Sequence, residues 1–202
     1  SQAGGPYTLG DAPMRLALSA QQQHLHTGGA AALHQLRQAL PSATVTMATC
    51  VEGHVAVVLR NTAAAPQHIE HPLGMVMHPY ASASSLLFQA FWDETERDEF
   101  QLRHPFSEHS SPLWQREDDL DAFLLESRER EAVVLPQRRS NIPMAVPIRD
   151  AANRMVAALG VALTSQTSIK SHEVEQALAV ARATAADLTR TLTAENTSYA
   201  ER

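Results

Sequence analysis

The sequence predicts an α+β domain in which an antiparallel sheet carries helices on its faces. Three observations point there. Two β-branched runs, 43–50 and 54–60, flank Glu52-Gly53, a pair suited to a tight hairpin turn. Three further apolar runs, 132–136, 143–149 and 155–163, come late in the chain, after two helical stretches. The resulting order of helix, strands, helices, strands and helix lacks the repeated βαβ units of a parallel sheet.

Each element has its own local reason. Residues 1–13 (SQAGGPYTLGDAP) are rich in Gly and Pro and read as loop. They carry no initiator Met and no capped first element, so they are expected to continue an upstream segment. A helix is expected over 14–21 and a stronger one within 24–40. Ala32, Leu33, Leu36 and Leu40 make its apolar face, and Gly28 and Gly29 precede or cap it, since glycine inside a helix is costly. In 43–50, Val45 and Met47 alternate with Thr44, Thr46 and Ala48. Residues 61–67 are loop, and 68–77 add a third, irregular strand. Residues 80–92 read as a helix packed through Leu86, Leu87, Ala90 and Phe91. The acids of 93–99 read as a solvated helical face.

After a loop at 104–115, residues 117–130 form a helix with acids in its first turn and arginines in its last, matching the helix dipole. Leu120, Phe123 and Leu124 face the core. Asp150 to Asn153 turns between the last two strands. The final helix covers 172–192, with Ser171 as N-cap and Val174, Leu178, Ala181, Ala185, Leu188 and Leu192 on one face.

Composition narrows the function. At 202 residues and 44% hydrophobic content, the chain suffices for one core with a helical extension. Its net charge of -6 is uneven, because 93–131 alone hold thirteen acids and five arginines. Such a chain does not coat DNA, which calls for clustered Lys and Arg. The single cysteine, Cys50, excludes an internal disulfide, and no apolar run is long enough to span a bilayer. A cytoplasmic location is expected, with no membrane partner. No phosphate-binding glycine loop, nucleophile elbow or paired-histidine zinc motif occurs.

His68, His71, His78 and Cys50 are the candidates for a metal, but spacing alone, across Pro72 and Gly74, is a weak argument for a converging set. Surface histidines and a core cysteine are the expectation. Arg138 and Arg139, between two strands, either pair with an anion or the acidic helices, or keep a loop soluble. No catalytic residue, metal or cofactor is expected.

The chain resembles the IclR family of bacterial transcription regulators over nearly its full length. Tyr7-Thr8-Leu9-Gly10 is similar to the stretch that follows the family's winged helix-turn-helix. Gly74 through Ala90 matches at Gly74, Ser82, Ala83 and Ala90, with Ser85 and Leu86 in place of the usual Gly and Lys or Arg. Leu120 through Arg130 resembles the next helix, followed by Glu131-Ala132 instead of Gly-Tyr. Arg138-Arg139 replace an acidic pair. The strongest match is Ile142 through Leu163, at Pro147, Asp150, Val156, Ala157, Ala158 and Leu159.

The resemblance implies a GAF-like, profilin-like domain that senses a small molecule and pairs as a homodimer or homotetramer within a repressor-type regulator. It implies a division into 1–21, the end of the winged-helix region and a linker helix, and 22–202, the effector-binding and oligomerisation domain. Operator DNA would be read only through an N-terminal domain outside this chain. The family's polar effector contacts fall at Pro143, Gly160 and Ala162, which lack polar side chains. A small carboxylate would be poorly satisfied there. The resemblance thus implies a small apolar or aromatic metabolite, with Met75, Met77, Phe88 and Met144 completing the lining, or else a closed site. The alternatives are a ligand-free oligomerisation domain and a stand-alone enzyme.

Overall fold

The computed structural model describes residues 12–109, 112–138, 140–165 and 167–200, of which 12–24 and 195–200 are described by backbone alone. Tyr7 to Gly10 and Arg139 lie outside the described residues. The elements are α1 (Ala12–Ala39), β1 (Thr44–Val51), β2 (His54–Asn61), α2 (Ala83–Phe91), α3 (Glu94–Arg103), α4 (Phe106–His109), α5 (Glu117–Arg130), β3 (Val133–Val134), β4 (Asn141–Arg149), β5 (Met155–Thr164) and α6 (Ser171–Ala200). Five strands form one antiparallel sheet in the order β2-β1-β5-β4-β3. This is the α+β architecture expected from the sequence.

The sheet separates two cores because strand side chains alternate between its faces. Val45, Met47, Leu59, Met144, Val146, Ile148, Leu159 and Val161 turn to one face, where α1 and α6 cover them with Leu33, Leu36, Leu178, Ala181 and Leu188. Ala48, Ala145 and Ala158 turn to the other face, under Leu86, Leu87 and Phe88 of α2 and Leu120 and Leu124 of α5. Small residues on this second face let α2 approach the sheet.

Turns set the register. Glu52 and Gly53 both have positive φ, 51° and 75°, as a two-residue hairpin turn matching the strand twist requires. At the other hairpin, Asp150 accepts from the amides of Ala152 and Arg154, both at 2.9 Å, and from the Arg154 guanidinium at 2.8 and 3.0 Å. Burial pushes this carboxyl up, but the four donors outweigh it and hold Asp150 below the ordinary aspartate value. Two prolines fit inside β4 because the odd positions there face away from β5. The Pro143 carbonyl accepts from Leu135 N at 2.9 Å, and Arg149 N donates to Thr189 Oγ1 at 3.1 Å. Pro143 and Pro147 therefore remove no bond from the β4–β5 ladder.

Several boundaries differ from expectation. The helices expected at 14–21 and 24–40 are one continuous α1, and Gly28 and Gly29 lie inside it. The reason is close approach. A Cβ on Gly28 would come within 2.8 Å of Leu188 Cδ1, and one on Gly29 within 2.5 Å of Met47 Cε. Glycine's entropic cost is accepted where the helix crosses α6 and the sheet. The strand expected at 132–136 shrinks to Val133–Val134 before Pro136. The segment 68–77 pairs only through isolated bridges, Arg60 to Glu70 and Ala56 to Val76. The 104–115 stretch contains the short α4. Lys170, not Ser171, takes the cap position of α6; its amide donates to Glu173 Oε2 at 2.7 Å. No helix among the described residues is long and apolar enough to cross a membrane.

Candidate functional site

The N-terminal end of α2 meets the small-residue face of the sheet, and the candidate site forms there. Ser82 begins the helix with extended backbone, and its Oγ accepts from Ser85 N at 3.4 Å. The Ser82 carbonyl accepts from Leu86 N at 3.0 Å. Ser84 and Ser85 follow, both buried, and Ser85 Oγ has no hydrogen-bond partner among the described residues. The first-turn amides of an α-helix have no intrahelical acceptor and carry the positive end of its dipole. This end of α2 thus sets the Ser84 hydroxyl against Gly160 and Thr46 of the sheet.

Of the seven residues expected to line an effector site, three come together. Pro143 pairs with Ala162 across β4 and β5, and Gly160 stands two residues along the same face. A Cβ on Gly160 would lie 3.3 Å from Ser84 Oγ and 2.4 Å from Thr46 Oγ1, so α2 sits directly on this glycine. Phe88 is buried on the same face, one turn of α2 nearer the β4–β5 hairpin. Met77 packs against this core from the β2 edge, where its amide donates to Val55 O at 2.8 Å. Met75 is exposed beside that edge. Met144 turns to the opposite face, among the residues under α1 and α6, because it alternates with Pro143 along β4. It cannot share a cavity with Pro143 and Gly160.

Residues missed in the sequence reading are Thr46 and Ser84. The run Ser82-Ala83-Ser84-Ser85 ahead of an apolar stretch was an available signal of a hydroxyl-rich helix start. Thr46 carried none, because its nearness to Gly160 follows from the β1–β5 register.

The titratable groups nearby are set for structure. Burial pushes the Tyr80 phenol up to about 12, reinforced by Glu117, and its hydroxyl donates to His104 O at 2.5 Å. Burial also raises the Cys50 thiol, which keeps its proton at neutral pH and is a poor nucleophile. Burial lowers His78, and the charges of His109 and Arg138 act in the same sense. Among the described residues no three His, Cys, Asp or Glu side chains are grouped to hold a metal. His71 instead stacks on His26, with ring centroids 5.8 Å apart.

No protein-family model and no curated protein matches the chain. Solved structures do. The C-terminal domain of the E. coli transcriptional regulator KdgR superposes with a TM-score of 0.67 at 14% identity, covering 84% of this chain and 98% of that one. The Thermotoga maritima IclR gives a TM-score of 0.67 at 19% identity, covering 85% of this chain and 68% of that one. An IclR homologue from Microbacterium hydrocarbonoxydans, complexed with 4-hydroxybenzoate, gives 0.66 at 18% identity, covering 85% and 69%. Identities this low speak to the fold, and the fold is consistent across them: the chain has the architecture of the C-terminal domains of IclR-type transcription regulators.

Proposed function

We propose that this chain is the ligand-sensing and self-association domain of a transcription regulator of the IclR type. The observation that carries the reading is the superposition on the KdgR C-terminal domain, which spans 98% of that domain. DNA reading is assigned to a winged helix-turn-helix outside these 202 residues, and the regulator to the cytoplasm. Residues 1–21 would link it to the sensing domain of 22–202. Helix α1 crosses that boundary without a break, so a linker helix would run straight into the sensor. Ligand binding would then bias how paired DNA-reading domains are presented, as a population shift between two arrangements.

The effector site we propose lies at the start of α2, beside Ser84, Pro143, Gly160 and Ala162. The apolar sheet surface there favours a small aromatic or apolar metabolite, and the hydroxyls and amides of α2 favour one oxygen-bearing end. The Microbacterium IclR homologue is complexed with 4-hydroxybenzoate, which supports a small aromatic ligand for this chain. Among the described residues no nucleophile and base stand together here, which supports binding over catalysis.

Thermal-shift screening with aromatic and aliphatic metabolites, 4-hydroxybenzoate among them, tests the site. A binder of the native state raises the midpoint in a saturable way, and Ala162→Phe should abolish the rise by adding bulk beside Pro143, its partner across β4 and β5. A flat response across the panel, with dimers or tetramers in sedimentation, would leave a domain that only pairs subunits. A monomer at every concentration would remove the self-association half.

A further inference from the structure

A cavity of about 570 Å³ lies at the other end of the sheet, beneath the last turn of α2 and beside the β4–β5 hairpin. It shares no lining residue with the Pro143, Gly160 and Ala162 end. Its volume falls within the range of small-molecule sites. Phe88, Phe91, Trp92 and Met155 give it an apolar bed.

The charges around that bed are unevenly satisfied. Arg149 lies 4.6 Å over the Phe91 ring, donates to Glu131 at 2.8 Å and to Asn153 O at 3.1 Å. Arg154 is held by both bonds to Asp150. The third arginine, Arg128, forms no ion pair among the described residues. Across from the arginines stand Asp93 and Glu96. Each carboxylate accepts the other's amide, at 2.9 and 3.0 Å, in the cap of α3, yet neither meets a cation among the described residues. The C-terminal end of α2, where its carbonyls gather negative potential, closes the same wall. Arg128, which forms no ion pair among the described residues, and the two capping carboxylates thus stand exposed around a common apolar bed.

The geometry points to a binding site for a small ammonium carboxylate with an apolar side chain, an α-amino acid of the phenylalanine or leucine kind. Arg128 takes the carboxylate. Asp93, Glu96 and the end of α2 take the ammonium group. Phe91, Trp92 and Met155 take the side chain. A carboxylate without an ammonium group would gain nothing from the two acids, and an amine without a carboxylate would gain nothing from Arg128. Both halves of the ligand are therefore read.

Titration calorimetry of L-phenylalanine into the 202-residue chain tests this, with 3-phenylpropionate and 2-phenylethylamine as the one-charge comparators. The expected result is saturable 1:1 binding of L-phenylalanine, about tenfold tighter than either comparator. Arg128→Gln should weaken L-phenylalanine about tenfold and leave 2-phenylethylamine unchanged. Glu96→Gln keeps a side chain able to cap the helix and should weaken both amines while sparing 3-phenylpropionate. Arg128 is exposed, so its variant should fold, and circular dichroism checks both. No saturable heat with L-phenylalanine or L-leucine at about 10 mM, equal binding of 3-phenylpropionate, or unchanged affinity in both variants would overturn the assignment. Ala162→Phe should leave this binding intact, which separates its failure from that of the effector site at the start of α2.

Discussion

At the scale of single residues, Gly160 shows how one absent methyl group positions a helix. Thr46 stands opposite it on β1, and its Oγ1 occupies the space a Cβ would take, at 2.4 Å. Threonine is stiff about χ1, so the hydroxyl does not swing away freely. Gly160→Ala is expected to destabilise the fold by about 1–3 kcal/mol, the usual cost of overpacking. This runs against the gain of about 0.5–1 kcal/mol that replacing a strand glycine ordinarily brings. Thr46→Ala should remove the clash, so a double-mutant cycle in urea should return a coupling energy of about 1 kcal/mol or more. Additive effects would show that α2, not Thr46, sets the limit. In the sequence Gly160 reads only as a missing polar group, since its partner is distant along the chain. The same limit applies to Met144: alternation along β4 separates it from Pro143, but which face meets α2 depends on the whole sheet.

At the scale of elements, the β1–β2 turn docks on the end of α3 through Arg103 and through His104, whose protonation couples the contact to pH. Arg103 Nη1 donates to Glu52 O at 3.2 Å, and His104 Nε2 lies 3.3 Å from Gly53 O. A carbonyl only accepts, so Nε2 carries the proton. His54 and His109 stand against the same ring, at centroid distances of 5.0 and 5.5 Å. Burial lowers His104 below its ordinary value of 6.5; the bond to Gly53 opposes this, and the charges of His54, His109 and Arg103 add to it. The folded pKa is thus below the unfolded one, and the unfolded chain binds more protons between the two. The contribution of His104 is present in full above pH 6.5 and falls away as the pH drops through its lower folded value. Urea midpoints should therefore decrease between pH 7.5 and pH 5.5. His104→Gln keeps a donor for Gly53 O and should flatten that dependence; an equally steep slope in the variant would assign it elsewhere. The turn itself was legible from Glu52-Gly53, as was α5 from its charge order and α2 from its apolar spacing. Helix α1 was divided at Gly28-Gly29 because local propensity disfavours glycine, whereas contacts with Leu188 and Met47 require it.

At the scale of the whole molecule, the sheet has two unlike covers. Helices α1 and α6 bury one face with a continuous apolar stripe. On the other face, eight residues of α2 are buried, but α3 buries only Phe100 and α4 buries nothing. The stretch 93–131 also carries thirteen acids against five arginines, so its charges repel one another. Local opening follows the density of buried apolar contacts. Amide hydrogen exchange should thus be fastest in α3 and α4, slower in α5, and slowest in β1, β5, β4 and α2. Raising salt from about 20 mM to about 500 mM shortens the Debye length several-fold and should slow exchange in α3 and α5 while leaving β5 nearly unchanged. Equal protection of α3 and β5 at low salt would contradict the two-cover description. If it holds, both candidate sites share one design. Each sets α2 against the rigid sheet, and the Trp92 cavity adds the easily opened start of α3 as a third wall. A ligand there would be registered first as slower exchange in α3, an element that buries only Phe100 of its own.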